Sequence, residues 1–295
     1  MNPDSTAVTE VPSATPVMTT VAVQGAARAP RFEIDTSWPR PLPEGWITGQ
    51  LAGVCVDRDD NIIVTNRGDI TKEEEETCIK APAVLIFDQA GDLIDSWGDW
   101  DLLPRTVHSC CVDPDNNVWI TANGDGMVQK YTYEGKLLLQ IGTKGVFDTA
   151  DGGKRGPGAN AAHDRLNKPA GIACDPDNGD VYFADGYGDR RIVVFDKNGK
   201  YLRQWGRQAT PEEMEAGVGG VFAEVVHSVD ISRQGLVYVG DRQGDRVQVF
   251  DRMGNFERNI WILELKTCEL AITLKVSTSV EAAPVLDFGV SIFTA

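Results

Sequence analysis

His108 and His227 are two of only three histidines in this 295-residue chain, and they fall at matching places in two similar stretches, TVHSCCVD and VVHSVDIS. Each stands five positions before the residue that closes a strand-like run, Asp113 in one case and Ser232 in the other. Neutral imidazole is the commonest nitrogen ligand for zinc, so a matched pair projecting into one cavity would make a metal site. The competing expectation is that each ring only hydrogen-bonds within a polar channel. The third histidine, His163 in AAHDRLNKP, is out of register with the pair.

Whether the pair can meet depends on the elements that carry it. Four segments align on a short Asp-containing turn, with first runs ending at Asp57, Asp113, Asp175 and Ser232. A second apolar run follows (NIIV, VWIT, VYFA, VYVG), then a third that reaches a tight turn at Gly91, Gly135, Gly199 or Gly254. The fourth closes near Trp97, Ile141, Trp205 or Trp261. Short β-branched and aromatic runs punctuated by Gly and Asp-Asn turns predict an all-β fold. A repeated four-stranded unit of about 40 residues predicts the blades of a β-propeller.

In such a blade the first strand is innermost. The equivalents of His108 and His227 in the other two units are Ala52 and Ala170. Alternate blades converge on the axis, which lets the two rings meet. Strands one and two run antiparallel, so the end of strand two shares a face with the histidines. That places Arg67 of TNRGD and Tyr187 of ADGYGD at the same mouth. Two plainer expectations stand beside this one. Arg242 occupies the position of Arg67 and reads as a blade-to-blade pairing residue, and DGYGD reads as a connecting turn relieved by Gly186 and Gly188.

Composition narrows the class. A chain of this length buries a large core, and no apolar run approaches the ~20 residues of a membrane span. A net charge of −16 argues against a nucleic-acid partner while leaving room for a local cationic pocket. Residues 1–30, rich in Ser, Thr, Ala and Pro, read as a disordered leader without the pattern of a signal peptide. Residues 31–261 hold the propeller. Residues 262–295 lack the Asp-Asn turn and the Trp-Gly ending, and read as an off-pattern tail or degenerate blade. Cys55, Cys110, Cys111 and Cys174 lie in strand-like runs without CxxC spacing and are expected to be small buried core residues. The run KEEEE reads as a solvated loop. A short helix is expected after Thr210, with Pro211 at its first position.

The repeat unit GIACDPDNGDVYFADGYGDRRIVVFDKNGKYLRQWG resembles NHL repeats, and the resemblance extends from about residue 46 to 261. SWPRPLPEGW, TNRGD, VHSCCVD, LNKPAGIACD and ADGYGDRRIVVFDKNGKYLRQWG together resemble the six-bladed lyases that cleave peptidyl-α-hydroxyglycine. That resemblance implies a carbon–nitrogen lyase acting on a small peptide or acyl-glycine-like substrate, and an extracytoplasmic location. It implies a catalytic zinc on three histidines, two of them matched by His108 and His227. Arg67 would hold the substrate carboxylate and Tyr187 would take the proton of the substrate hydroxyl. Backbone carbonyls near Val54 and Cys110 would match a structural calcium site. The alternative is a non-catalytic propeller whose loop face binds a peptide or protein partner. A lactonase-type hydrolase would need acidic metal ligands, and the repeat supplies no matched inward carboxylates.

Overall fold

Four copies of the repeat form four antiparallel four-stranded sheets, the blades of a β-propeller. The computed structural model describes residues 33–154, 156–262, 269–272 and 290–293. Blade 1 comprises Leu51–Val56, Ile62–Asn66, Val84–Phe87 and Leu93–Trp97. Blade 2 comprises Val107–Val112, Val118–Ala122, Met127–Tyr131 and Leu137–Ile141. Blade 3 runs Ile172–Cys174, Val181–Asp185, Arg191–Phe195 and Tyr201–Trp205. Blade 4 runs Val226–Ile231, Val237–Asp241, Arg246–Phe250 and Phe256–Trp261.

The burial of each strand follows its radial place. Second and third strands, such as Val118–Ala122 and Arg191–Phe195, are buried throughout because blades cover both faces. They therefore read as continuous apolar runs rather than alternating ones. Outer strands such as Leu137–Ile141 are mostly exposed. The cores lie between blades, as where Ile63 and Ile86 of blade 1 meet Val118, Ile120 and Tyr131 of blade 2. Asp57 folds the first turn by accepting the backbone N–H of Asp59 and of Asn61, both at 2.8 Å. Asp113 repeats the arrangement with Asp115 and Asn117 at 3.0 and 2.9 Å. This side chain-to-backbone turn explains the recurring aspartate.

The joints between blades explain the alternation of Ala-Gly with His-Ser. A Cβ on Gly53 would lie 2.7 Å from the Cα of Ser109, and one on Gly171 would lie 2.8 Å from the Cα of Ser228. The glycine of each Ala-Gly blade thus admits the His-Ser strand of the next. Farther out, one repeat position acts as a latch onto the preceding blade. The Tyr133 hydroxyl donates to Asp57 at 2.7 Å, Lys197 Nζ to Asp115 at 3.0 Å, and Arg252 Nε to Asp175 at 2.7 Å.

The cysteines correct the sequence expectation. Cys55 pairs with Cys110 and Cys111 with Cys174, with Cα separations of 5.7 and 5.8 Å. They are cross-links from blade 1 to blade 2 and from blade 2 to blade 3, not merely core fillers. The separation fits disulfide geometry because inner strands of adjacent blades run close together. KEEEE is also not a loop: Lys72–Thr77 is a short helix, capped by Thr71 and Glu74 in a reciprocal box, with no buried residue. The helix Pro211–Glu215 begins after Thr210 as expected.

Trp46–Ile47 pairs in parallel with Ile79–Lys80, and Trp38, Leu42 and Trp46 cover the outer flank of blade 1 at Leu85 and Phe87. In the tail, Glu269–Ile272 and Val290–Phe293 form an antiparallel pair. The expected leader, and the rest of the tail beyond residue 262, lie outside the described residues. Among the described residues no helix is long and apolar enough to cross a membrane.

Candidate functional site

Each histidine sits at an interruption of its inner strand. The register between the first and second strands shifts between Val107 and Ser109 in blade 2, and between Val226 and Ser228 in blade 4. His108 and His227 are therefore bulge residues, and a bulge re-aims a side chain out of the alternating pattern. Both are buried, each 8% exposed. Their ring centroids are 5.0 Å apart, edge to face. The two rings are in contact.

Tyr187 joins them. Its hydroxyl oxygen lies 3.1 Å from Nε2 of His227 and 3.4 Å from Nε2 of His108. The glycines around it do more than relieve a turn. A Cβ on Gly186 would collide with the carbonyl oxygen of Val226, and one on Gly188 with the side chain of Asn167. The loop is pressed against the strand that begins blade 4, and Tyr187 is delivered to His227 by that close approach. Arg190 Nη1 holds the loop by donating to the Gly186 carbonyl at 3.0 Å.

Two guanidinium groups complete the constellation. Arg242 Nη1 donates to the Tyr187 hydroxyl at 3.5 Å, and its charge centre lies 5.4 Å from the ring centroid. Arg67 is held from blade 1: its Nε donates to the Val107 carbonyl at 3.0 Å and its Nη1 to Gln50 Oε1 at 2.7 Å. Its Nη2 makes no hydrogen bond among the described residues. Burial above all holds the His108 imidazole down to a pKa of about 3, and the charges of His227, Arg67 and Arg242 add to this. His108 is thus neutral at physiological pH, the state in which an imidazole nitrogen can bind a metal or accept a proton.

Arg67, His108, Tyr187 and His227 come together from four blades. Arg242 is the group that sequence reasoning missed as a site residue. Its sequence context reads as that of a pairing residue, yet its match in position with Arg67 is a usable signal. His163 takes no part; it stacks on Tyr201 with centroids 3.9 Å apart. Val54 and Cys110 lie farther along the inner strands of blades 1 and 2, at the joint crossed by the Cys55–Cys110 bond. Among the described residues no cluster of three or more His, Cys, Asp or Glu side chains has metal-binding geometry.

No family model matches the chain. Over 246 residues it is 28% identical to Peptidyl-glycine alpha-amidating monooxygenase B of Xenopus laevis, covering 78% of this chain and 26% of that protein. It is 30% identical over 230 residues to NHL repeat-containing protein 3 of Mus musculus, covering 76% of this chain and 57% of that protein. With Peptidyl-alpha-hydroxyglycine alpha-amidating lyase 1 of Drosophila melanogaster it shares 26% over 220 residues, 68% of this chain and 38% of that protein. The chain thus spans from about a quarter to somewhat over half the length of these relatives. Among solved structures, a gluconolactonase from Xanthomonas campestris superposes with a TM-score of 0.50 at 15% identity, covering 75% of this chain and 65% of that one. That likeness concerns the fold alone.

Proposed function

We propose, starting from a family-level resemblance to NHL-repeat propellers and amidating lyases, that the chain cleaves the C–N bond of a peptidyl-α-hydroxyglycine-type substrate to an amide and glyoxylate. The observation that carries this reading is the convergence of two imidazoles and one guanidinium on the Tyr187 oxygen. A guanidinium at that oxygen stabilises negative charge developing there during proton transfer. Arg242 supplies it, with its charge centre 5.4 Å from the Tyr187 ring centroid.

In the reaction, Tyr187 takes the proton of the substrate hydroxyl. The oxygen left behind forms the aldehyde C=O, the C–N bond breaks with its electron pair going to the amide nitrogen, and Tyr187 hands that nitrogen the proton it took. Arg67 offers its remaining N–H group to the substrate carboxylate, the task suited to a guanidinium held at its other nitrogens. The donor chemistry at the axis fits zinc as a two-imidazole site: His108 and His227 would hold the ion beside the Tyr187 oxygen. Bound there, zinc would supply Lewis acidity toward the substrate hydroxyl. A structural calcium on the Val54 and Cys110 carbonyls belongs to the same reading.

The test measures glyoxylate and primary amide from an N-acyl-α-hydroxyglycine, with metal content determined in parallel. Tyr187→Phe should lower turnover by about 10²–10⁴-fold, and His108→Ala or His227→Ala should release the zinc. Absence of both glyoxylate and zinc in the unmodified chain would leave a second reading, a non-catalytic propeller that binds a peptide or protein. One observation favours that alternative. His163 is stacked on Tyr201, so among the described residues two imidazoles rather than three meet at the axis.

A further inference from the structure

A cleft of about 160 Å³ opens between blades 1 and 2 beside the axial site. Its walls include Arg67, Trp100, Leu103, Pro104 and Val107, with Arg105 at the rim. Leu103 and Val107 are each 2% exposed and belong to the core between the two blades, so the floor is fixed by packing. Trp100 is the opposite case, a large ring left 36% exposed. Its ring packs against the RGD turn: a Cβ on Gly68 would fall 2.4 Å from it. Lys80 Nζ stands 5.4 Å from the same ring. The glycine of TNRGD therefore seats an indole next to the arginine that precedes it.

We propose that this cleft is a specificity subsite for an aromatic side chain on the residue immediately before the substrate's terminal carboxylate-bearing unit. Volume, lining and reach support it together. An apolar protein cavity of ~150 Å³ accommodates benzene, so the space suits a phenyl ring. Such a ring would gain apolar contact with Leu103 and Val107 and an aromatic neighbour in Trp100. Arg67 is common to the cleft and the axial site, and its charge acts on His108. Consecutive Cα atoms are ~3.8 Å apart, so a side chain one residue before an Arg67-bound carboxylate begins within reach of the cleft. The subsite rests on the reading of Arg67 given above, but not on catalysis.

Binding of N-acetyl-phenylalanyl-glycine and N-acetyl-alanyl-glycine to the full chain separates these ideas, because both carry the carboxylate and neither has a hydroxyl to react. Calorimetry should show the phenylalanyl peptide bound about tenfold more tightly, from the apolar area its ring removes from water. Trp100→Ala should shrink that ratio to about twofold or less, while Trp100→Phe should preserve most of it. Equal affinities for the two peptides overturn the subsite, whatever the glyoxylate assay gives. A ratio that survives Trp100→Ala also overturns it, and failure of both peptides to bind removes the subsite and its carboxylate anchor together. A preserved ratio in the wild type with no glyoxylate from any hydroxyglycine substrate would sink the lyase and leave the subsite standing. If Trp100→Ala does not fold, the wild-type ratio and Trp100→Phe still decide.

Discussion

The joint between blades 3 and 4 is built differently from the two before it. All three carry the latch two residues before the turn glycine, as Tyr133, Lys197 and Arg252. The first two joints add a disulfide, Cys55–Cys110 and Cys111–Cys174. Blade 4 has no cysteine in its inner strand; its joint with blade 3 combines a shared apolar core with a latch that is the most highly charged of the three. Arg252 reaches both carboxylate oxygens of Asp175 and also pairs with Asp177. Its backbone carbonyl accepts the Arg203 Nε–H at 2.8 Å and the Tyr182 hydroxyl at 3.2 Å. The comparison teaches that one repeat position can be reinforced covalently or electrostatically. The two solutions answer to different solution conditions.

Breaking the covalent joints should have the largest effect. The bonds close loops of 55 and 63 residues, and replacing either pair with serines should cost roughly 4 kcal/mol. Denaturant unfolding checks this, and a midpoint unmoved by reductant would show that the cross-links add nothing. Arg252→Ala sharpens the comparison from the other side. It leaves the fully buried Asp175 carboxylate without its partner, at a cost of about 2 kcal/mol. The same variant in reductant should lose more than the sum of the two separate losses if the joints share the load, and simple additivity would show that they act independently.

A separate effect is one of pH, in the charged cluster of blade 3. Asp148, Asp185 and Asp189 surround the single guanidinium of Arg191 at 3.1, 2.9 and 3.3 Å. Burial first, then the charge of Asp185, pushes Asp189 up to about 8. The folded state then binds a proton that the unfolded chain has released. Stability should fall as pH rises from about 4, the ordinary carboxylate value, to about 8, and level off above. Melting temperatures across pH 5 to 9 check the slope, and Asp189→Asn should flatten it. A slope unchanged by that substitution would remove Asp189 as its source.

How legible these features are in the sequence depends on their range. The blades can be read because their determinants are local. Asp57 and Asp113 fold their own turns, and the buried second strands are short apolar runs bounded by polar residues. The pairing of His108 with His227 follows from repeat register alone. The bulges that aim those rings do not, because a bulge depends on how two strands slip past one another. Disulfide pairing is harder still. Cys110 and Cys111 are adjacent in sequence, yet bond to opposite neighbours, and only the spacing between blades decides which partner each meets. Arg242 shares its local context with Arg67, so sequence could equate the two but could not show the Tyr187 ring beneath it.

The five axial groups do not rest on equal foundations. Arg67, His108 and Tyr187 ride on sectors tied together by sulfur, whereas His227 and Arg242 arrive on the one sector held by charge. Salt or the loss of Arg252 should therefore act first on the sector that carries His227 and Arg242, while the three sulfur-tied sectors keep their cross-links.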